Sequence, residues 1–209
     1  MLTEIVRQAK DSPIIQLSQM ILQGISLRPG KIGESVFITD RRIIPDDVLL
    51  RADQVLCGTN ATRYETNNRM RHLLGYKDRF PEVGDKLLCV KNNWSAIVED
   101  IPIINGTLGK CVGMRMTPEK YFMLKFVPDY SKENIVLRVD KSFFLGKKVK
   151  FEDDFLDEFE FGYVITVHKA QGSEFNNVVL LRDFMPKQVM RRWMYTAVTR
   201  AKKSLVIGL

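Results

Sequence analysis

An α/β protein with a mainly parallel sheet, interrupted by a small all-β module, is the fold that three features of this 209-residue sequence predict. First, QVLC (54–57), YVIT (163–166), NVVLL (177–181) and SLVIG (204–208) have the length and largely apolar, non-alternating character of strands buried on both faces, with helical patterns between them. Second, from Lys86 to about Phe151 the chain switches to short runs such as KLLCVKN, YFMLKFV, NIVLRV and FFLGKKVKF, divided by turn signals at Asn92-Asn93, Asn105-Gly106, Pro128-Asp129 and Gly146. Third, polar strings follow directly on apolar runs, most clearly in TVHKAQGSEF (166–175), the order in which α/β proteins offer side chains to a ligand at a strand's carboxyl end.

The elements follow in order. Residues 12–24 read as a helix: Ser12 at the N-cap, Pro13 at the first helical position, Ile14, Leu17, Ser18, Ile21 and Leu22 at helical spacing, and Gly24 as terminator. Between Leu27 and Asp53 only Val36 to Thr39 has strand character. The strand at 54–57 ends in the polar turn GTN, and a helix follows, with Thr62 and Glu65 as a capping box and the face RYETNNRMR running to about Leu74. Composition changes at Pro81 to Asp85, and the all-β stretch beyond it is about 65 residues long, a size at which small domains begin to fold alone. The α/β pattern resumes at Gly162. A last helix, from about Pro186 to Ala201, carries Met190, Trp193, Met194, Ala197, Val198 and Ala201 in one apolar stripe at about 100° per residue, with Arg200 on its flank. There Arg200 either offsets the helix dipole or reaches out to a ligand. The domains expected are therefore 1–80 with 160–209, and 81–159 inserted between them.

Charge and composition bound the function. Net charge is +7, although Glu152, Asp153, Asp154, Asp157, Glu158 and Glu160 form an acidic run without a basic residue, so the rest of the chain is more basic still. Clusters at Arg63/Arg69/Arg71, Lys147/Lys148/Lys150, Arg191/Arg192 and Arg200/Lys202/Lys203 are the electrostatic footprint of a polyanion partner, or simply a solvated surface. Cys57, Cys89 and Cys111 are widely spaced and read as buried free thiols, with no disulfide framework and no metal site. No apolar run approaches the roughly 20 residues of a membrane span, so no membrane partner and a cytoplasmic location are expected. NGTLGK (105–110) lacks the spacing of a phosphate loop, and the acids ending IVED (97–100) and LLRD (180–183) read as ordinary surface acids. With His72 and His168 as the only histidines, a hydrolase triad is not supported.

TVHKAQGSEF resembles motif V of superfamily 1 helicases of the RecD and Dda type, and MYTAVTRAKKSLVI (194–207) resembles their motif VI. LTEIVRQAKDSPII (2–15) is similar to their motif IV region, and QVLCGTNATRYETNNRMR (54–71) to the segment that follows it. The order of all four agrees, and the resemblance covers nearly the whole chain. It implies a RecA-like domain of the P-loop type without a phosphate loop of its own, interrupted by a small Src-homology 3-like barrel: the second motor half, domains 2A and 2B, of an exodeoxyribonuclease V alpha-like enzyme of DNA repair and recombination. The family's first RecA-like domain, with phosphate loop and magnesium carboxylates, has no counterpart in the sequence, so ATP and Mg2+ would be cofactors of a longer protein and this chain alone would be inactive and monomeric.

Site residues are implied position by position. Arg200 matches the arginine finger and Arg7 the motif IV arginine, both reaching the γ-phosphate from across a cleft. A guanidinium there offsets the negative charge spread over the γ-oxygens during phosphoryl transfer. Gln171, Gly172, Glu174 and Gln8 match nucleotide-facing positions. Thr166, His168 and Lys169 match the part of motif V that faces single-stranded DNA, so that one short segment would meet both ligands within about one helical turn. Thr59, Asn60, Arg63 and Asn67 lie at and beyond a strand's end and are placed to hold phosphates, with Asn60 equally suited to cap the helix. Movement from 5′ to 3′ follows by analogy only. A different class of function, a non-catalytic single-strand-binding or scaffold module, stays open; a phosphate loop upstream in the reading frame would separate the two.

Overall fold

The computed structural model describes residues 12–145 and 155–209, which divide into two compact units: the residues up to Met70 with Val164–Leu209, and Arg71–Tyr163. In the first unit six strands form one sheet. They are β1 (Gly30–Ile32), β2 (Val36–Thr39), β3 (Gln54–Cys57), β11 (Val164–Thr166), β12 (Phe175–Leu181) and β13 (Ala201–Gly208), in the order β1-β2-β13-β12-β3-β11. Only β1 and β2 run antiparallel; every other neighbouring pair is parallel. All four residues of β3 are buried, because the strand lies inside the sheet; that is why Val55, Leu56 and Cys57 are apolar without alternation, and the one polar residue, Gln54, is buried with its amide donating to the Val55 carbonyl at 3.2 Å.

Two helices of this unit pack against each other, α1 (Pro13–Leu22) and α4 (Lys187–Val198). α1 buries Ile14, Leu17, Ser18 and Ile21, as its spacing predicts, and ends ahead of Gly24, whose φ of 76° favours glycine. α4 buries Trp193, Met194, Ala197 and Val198 but stops three residues short of the expected end. Ala201 opens β13 instead, so Arg200 stands in the turn between helix and strand rather than on a helix flank. A short helix, α2 (Asp46–Arg51), and the three residues of β1 carry too little periodicity to be read from the sequence.

The second unit is antiparallel. Strands β4 (Lys86–Cys89), β7 (Leu108–Met116), β8 (Tyr121–Pro128), β9 (Ile135–Asp140) and β10 (Phe159–Phe161) form a sheet in the order β10-β4-β7-β8-β9, and β5 (Asn93–Val98) pairs with β6 (Ile101–Ile103) as a separate hairpin. Phe122, Phe126, Phe144 and Phe159 fill its core, with Phe126 edge-on to Phe159 at 4.9 Å. Because β10 pairs with β4, residues 159–161 belong to this sheet, and the divisions fall at Arg71 and Tyr163 rather than at 81 and 159. The FFLGKKVKF run does not open as a strand: Lys141–Phe144 form a 3-10 turn, whose first turn is capped by the Asp140 carboxylate accepting from the Ser142 amide at 2.8 Å. Lys147, Lys148, Lys150, Glu152, Asp153 and Asp154 lie outside the described residues.

The helix that joins the strand β3 to this unit, α3 (Asn60–Leu73), changes units between Met70 and Arg71. Arg71, read from the sequence as part of a basic surface, is a core residue. Its guanidinium donates to both Asp85 carboxylate oxygens and to the carbonyls of Asp78 and Phe80, and lies 4.0 Å from the Phe161 ring. Cys57, Cys89 and Cys111 are buried and free, and burial pushes the Cys57 and Cys89 thiols up to about 12. They are neutral packing residues.

Candidate functional site

Strand register sets the frame of the site. Thr166 and Leu181 are both level with Cys57, so the loops after β11, β3 and β12 all leave from one edge of the sheet, the carboxyl edge. Phe175, six residues before Leu181, is level with Ala201 and marks the opposite edge, roughly 20 Å away at about 3.3 Å per residue. The segment 166–175 therefore travels from the carboxyl edge to the amino edge. Its bonds Ala170 N to Thr166 O and Gln171 N to His168 O make one helix-like turn, after which the chain extends to β12. Thr166 and Glu174 stand at opposite edges, further apart than the single helical turn the sequence suggests.

At the carboxyl edge Asp183 organises the turn after β3. Its carboxylate is buried and accepts from the Gly58 amide at 2.7 Å, the Thr59 amide at 2.8 Å, the Thr62 hydroxyl at 2.5 Å and Arg41 Nη1 at 2.9 Å. Far from an ordinary surface acid, it fills the ring of donors at the start of α3 as a bound anion would. The capping box is absent for the same reason. The Thr62 hydroxyl is committed to Asp183, and the cap is Thr59, whose hydroxyl oxygen accepts from the Thr62 amide at 3.2 Å. Asn60 is exposed as the first helical residue, and its side-chain oxygen accepts from Arg63 Nε at 3.3 Å, which leaves Asn60 outside the capping role.

Burial raises the Asp183 carboxyl, but the donations from Thr62, Gly58, Thr59 and Arg41 outweigh it and hold the group below the ordinary carboxylate range. A group lowered on folding contributes stability that is fully present above its unfolded value near 3.9 and is lost as pH falls through the folded value. Melting temperature measured from pH 7 down to pH 3 is thus expected to fall at the acid end in the wild type. Asp183→Asn should be less stable at pH 7 and show a flatter acid limb; equal slopes for the two proteins would remove Asp183 from the titration.

Asn67 is 3% exposed and is a structural residue rather than a phosphate contact. Its amide donates to the Val164 carbonyl at 2.8 Å and accepts from the Val164 N–H at 3.0 Å, completing the outer side of the edge strand β11 as a neighbouring strand would. Asn67→Ala would leave both backbone groups buried without a partner and is expected to cost about 2 kcal/mol, read as a lowered denaturant midpoint at unchanged slope. Thr166, held in the same strand, is largely buried, whereas His168 is exposed and Lys169 half-buried. Of the motif V residues expected at DNA, His168 is the one that the fold offers most openly.

From Gln171 the segment runs on toward the amino edge, which it reaches at Phe175. Gln171, Gly172 and Glu174 are exposed, and Gly172 has φ 86° with nothing within 4 Å of where a Cβ would stand, so a ligand can approach its backbone closely. Arg200 lies half-buried against them. Its Nη1 donates to the Ser173 carbonyl at 3.1 Å, Nε to the Thr196 carbonyl at 3.2 Å and Nη2 to the Thr199 hydroxyl at 3.3 Å, while its own carbonyl accepts from Phe175 N at 2.8 Å. Lys202, 2.9 Å from Glu174, holds that carboxyl below the ordinary range. Arg7 and Gln8 lie outside the described residues. Among the described residues no three His, Cys, Asp or Glu side chains come together as a metal site, and no helix is long and apolar enough to cross a membrane.

Sequence reasoning missed Asp183, Arg41 and Ser173. Asp183 alone left a signal, an acid closing an apolar run. Ser173 acts through its carbonyl, which no side-chain pattern reveals, and Arg41 lies 142 positions from its partner.

Residues 161–207 match the family model of the UvrD-like helicase C-terminal domain. The chain is 28% identical to the ATP-dependent RecD2 DNA helicase of Deinococcus radiodurans over 96% of its own length and 27% of the relative's. It is 40% identical to the RecBCD enzyme subunit RecD of Buchnera aphidicola over 60% of its length and 17% of that protein. Among solved structures, the Pif1 helicase of Candida albicans superposes with a TM-score of 0.54 at 17% identity, covering 93% of this chain and 52% of the other. The chain thus spans about a quarter or less of these curated relatives and about half of that structure, which shares its mixed α/β fold with a mainly parallel sheet.

Proposed function

We propose, on the premise that this chain is a C-terminal superfamily 1 helicase domain, that it serves as the second motor domain of an ATP-dependent DNA helicase. In this reading single-stranded DNA lies along the carboxyl edge, against His168, Thr166 and Lys169 and the Thr59, Asn60 and Arg63 turn. The nucleotide lies at the amino edge, against Gln171, Gly172 and Glu174, and Gln8 would serve the same ligand. The observation that carries the reading is the path of residues 166–175, which run from one edge to the other and end hydrogen-bonded to Arg200. A shift at either ligand moves the same short backbone.

Fit to ATP rests on the open backbone at Gly172, an ionised Glu174 able to accept from a ribose hydroxyl, and a half-exposed guanidinium at Arg200. Bound with Mg2+, ATP would supply the phosphoanhydride whose hydrolysis drives the motor. The magnesium ion and phosphate loop belong to a first RecA-like domain, and this chain contributes Arg200 and Arg7 as counter-charges to the γ-phosphate. Alone it would bind DNA as a monomer without turnover. The antiparallel unit corresponds in this reading to the family's Src-homology 3-like barrel, and the likeness to RecD favours work in DNA repair and recombination. DNA-stimulated ATP hydrolysis by the intact protein, with and without Arg200, is the decisive measurement. Hydrolysis that ignores Arg200 overturns the motor role, and an intact protein that binds strands without ever hydrolysing ATP is a scaffold.

A further inference from the structure

Phe184 is 98% exposed, the most open aromatic side chain among the described residues, yet it is not on a loose loop. Asp183 before it is fixed by the four bonds described above, and the Met185 methyl after it rests on Gly58, where a Cβ would meet it at 2.4 Å. The loop after β12 is thus clamped on both sides of Phe184 onto the turn after β3, and the ring between the clamps points into solvent. A single exposed ring is ordinary in itself; what sets Phe184 apart is that both its neighbours are fixed, so its face is available to a flat partner at a defined place.

We infer that Phe184 stacks on a nucleobase of single-stranded DNA lying along the carboxyl edge. The inference rests on the reading of that edge as the strand-binding one, and it adds a contact that the motif residues do not supply. Arg63, on the first turn of α3, and Arg182, just after β12, lie at the same edge and bring positive charge for the phosphates, while Arg41 is spent on Asp183. β12 and β11 flank β3, which sets the strand ends that lead into the Phe184 loop and His168 about 10 Å apart across the sheet, near enough for one short stretch of strand to meet both loops. An aromatic platform beside a basic track is the common device of single-strand binding, and it tolerates any sequence because every base has a stacking face. A peptide is a poorer fit. β12 and β3 are paired on both sides, so this part of the edge offers no free strand for a peptide to join.

The test is the affinity of this 209-residue chain for a fluorescent oligo-dT and for the same oligonucleotide made abasic, using wild type, Phe184→Ala and Phe184→Trp. Phe184→Ala is expected to weaken oligo-dT binding roughly ten-fold and to leave abasic binding unchanged, with Phe184→Trp restoring the loss. Because the ring touches solvent, the melting temperature should not move. Wild-type oligo-dT affinity in Phe184→Ala, or an equal loss on both oligonucleotides, would overturn the stacking role while the strand-binding reading stands. A wild-type chain that binds neither oligonucleotide overturns both.

Discussion

In the intact protein, Arg200→Ala is expected to lower DNA-stimulated ATP hydrolysis by about 10³-fold or more, the range over which an arginine finger acts, while single-strand affinity stays within about two-fold. The loss should appear in kcat rather than KM, because a charge that matters as the γ-phosphate departs is worth most in the transition state. Arg200→Lys is expected to fail nearly as badly: the present guanidinium makes three separate donations, to Ser173, Thr196 and Thr199, and an ammonium on a flexible stem cannot reproduce that fork. Since Arg200 also ties the end of the 166–175 segment to the turn before β13, melting curves should accompany the kinetics. A variant that melts like wild type and still turns over normally would place the finger elsewhere. In the proposed reading strand binding lies at the other edge of the sheet, and this separation is why the two readouts should part.

Asp85→Ala is expected to destabilise the second unit by about 3–5 kcal/mol, the cost of leaving one member of a buried ion pair uncompensated. Asp85 is 0% exposed and its carboxylate receives Arg71 Nε and Nη2, the Tyr163 hydroxyl at 3.0 Å and the Glu82 amide at 2.8 Å. Without it the Arg71 guanidinium, itself buried, keeps the Asp78 and Phe80 carbonyls, the Phe161 and Tyr76 rings and a longer contact to Glu82 at 3.6 Å, of which only Glu82 carries an opposite charge. The fall in melting temperature should reach ten degrees or more, at about 4–8 °C per kcal/mol for a unit of this size. Arg71→Met combined with Asp85→Leu should recover much of that loss, because removing both charges also removes the desolvation cost. If the single variant melts within a degree or two of wild type, water reaches the pair and the site is not a dry core.

Much of this was legible in the residues. Apolar runs without alternation, such as VLC in β3 and VVLL in β12, identify buried parallel strands because a strand covered on both faces has no polar side. The RecD-like strings around Gly172 and Arg200 pointed to the helicase relatives that the chain resembles. Local reading failed where partners are distant in sequence. Asn67 reads as a polar residue on a basic helix, but it bonds to Val164, 97 positions away; LLRD reads as a surface acid, but Asp183 closes the turn at Gly58, 125 positions away. The helix stripe that placed Arg200 on a flank ran three residues too far, because Ala201 fits a buried helix face and the first residue of a strand equally well.

By itself the sequence determined the fold class, the inserted antiparallel module, the family likeness and the polar strings on which ligands would act. All of these depend on side-chain type at short spacing. Only the tertiary structure decided that Thr166 and Glu174 stand at opposite edges of the sheet, that Asn67, Arg71 and Asp183 face inward, and that Phe184 faces out. Strand order and register come from hydrogen bonds between segments far apart in the chain, and no local pattern records which strand lies beside which.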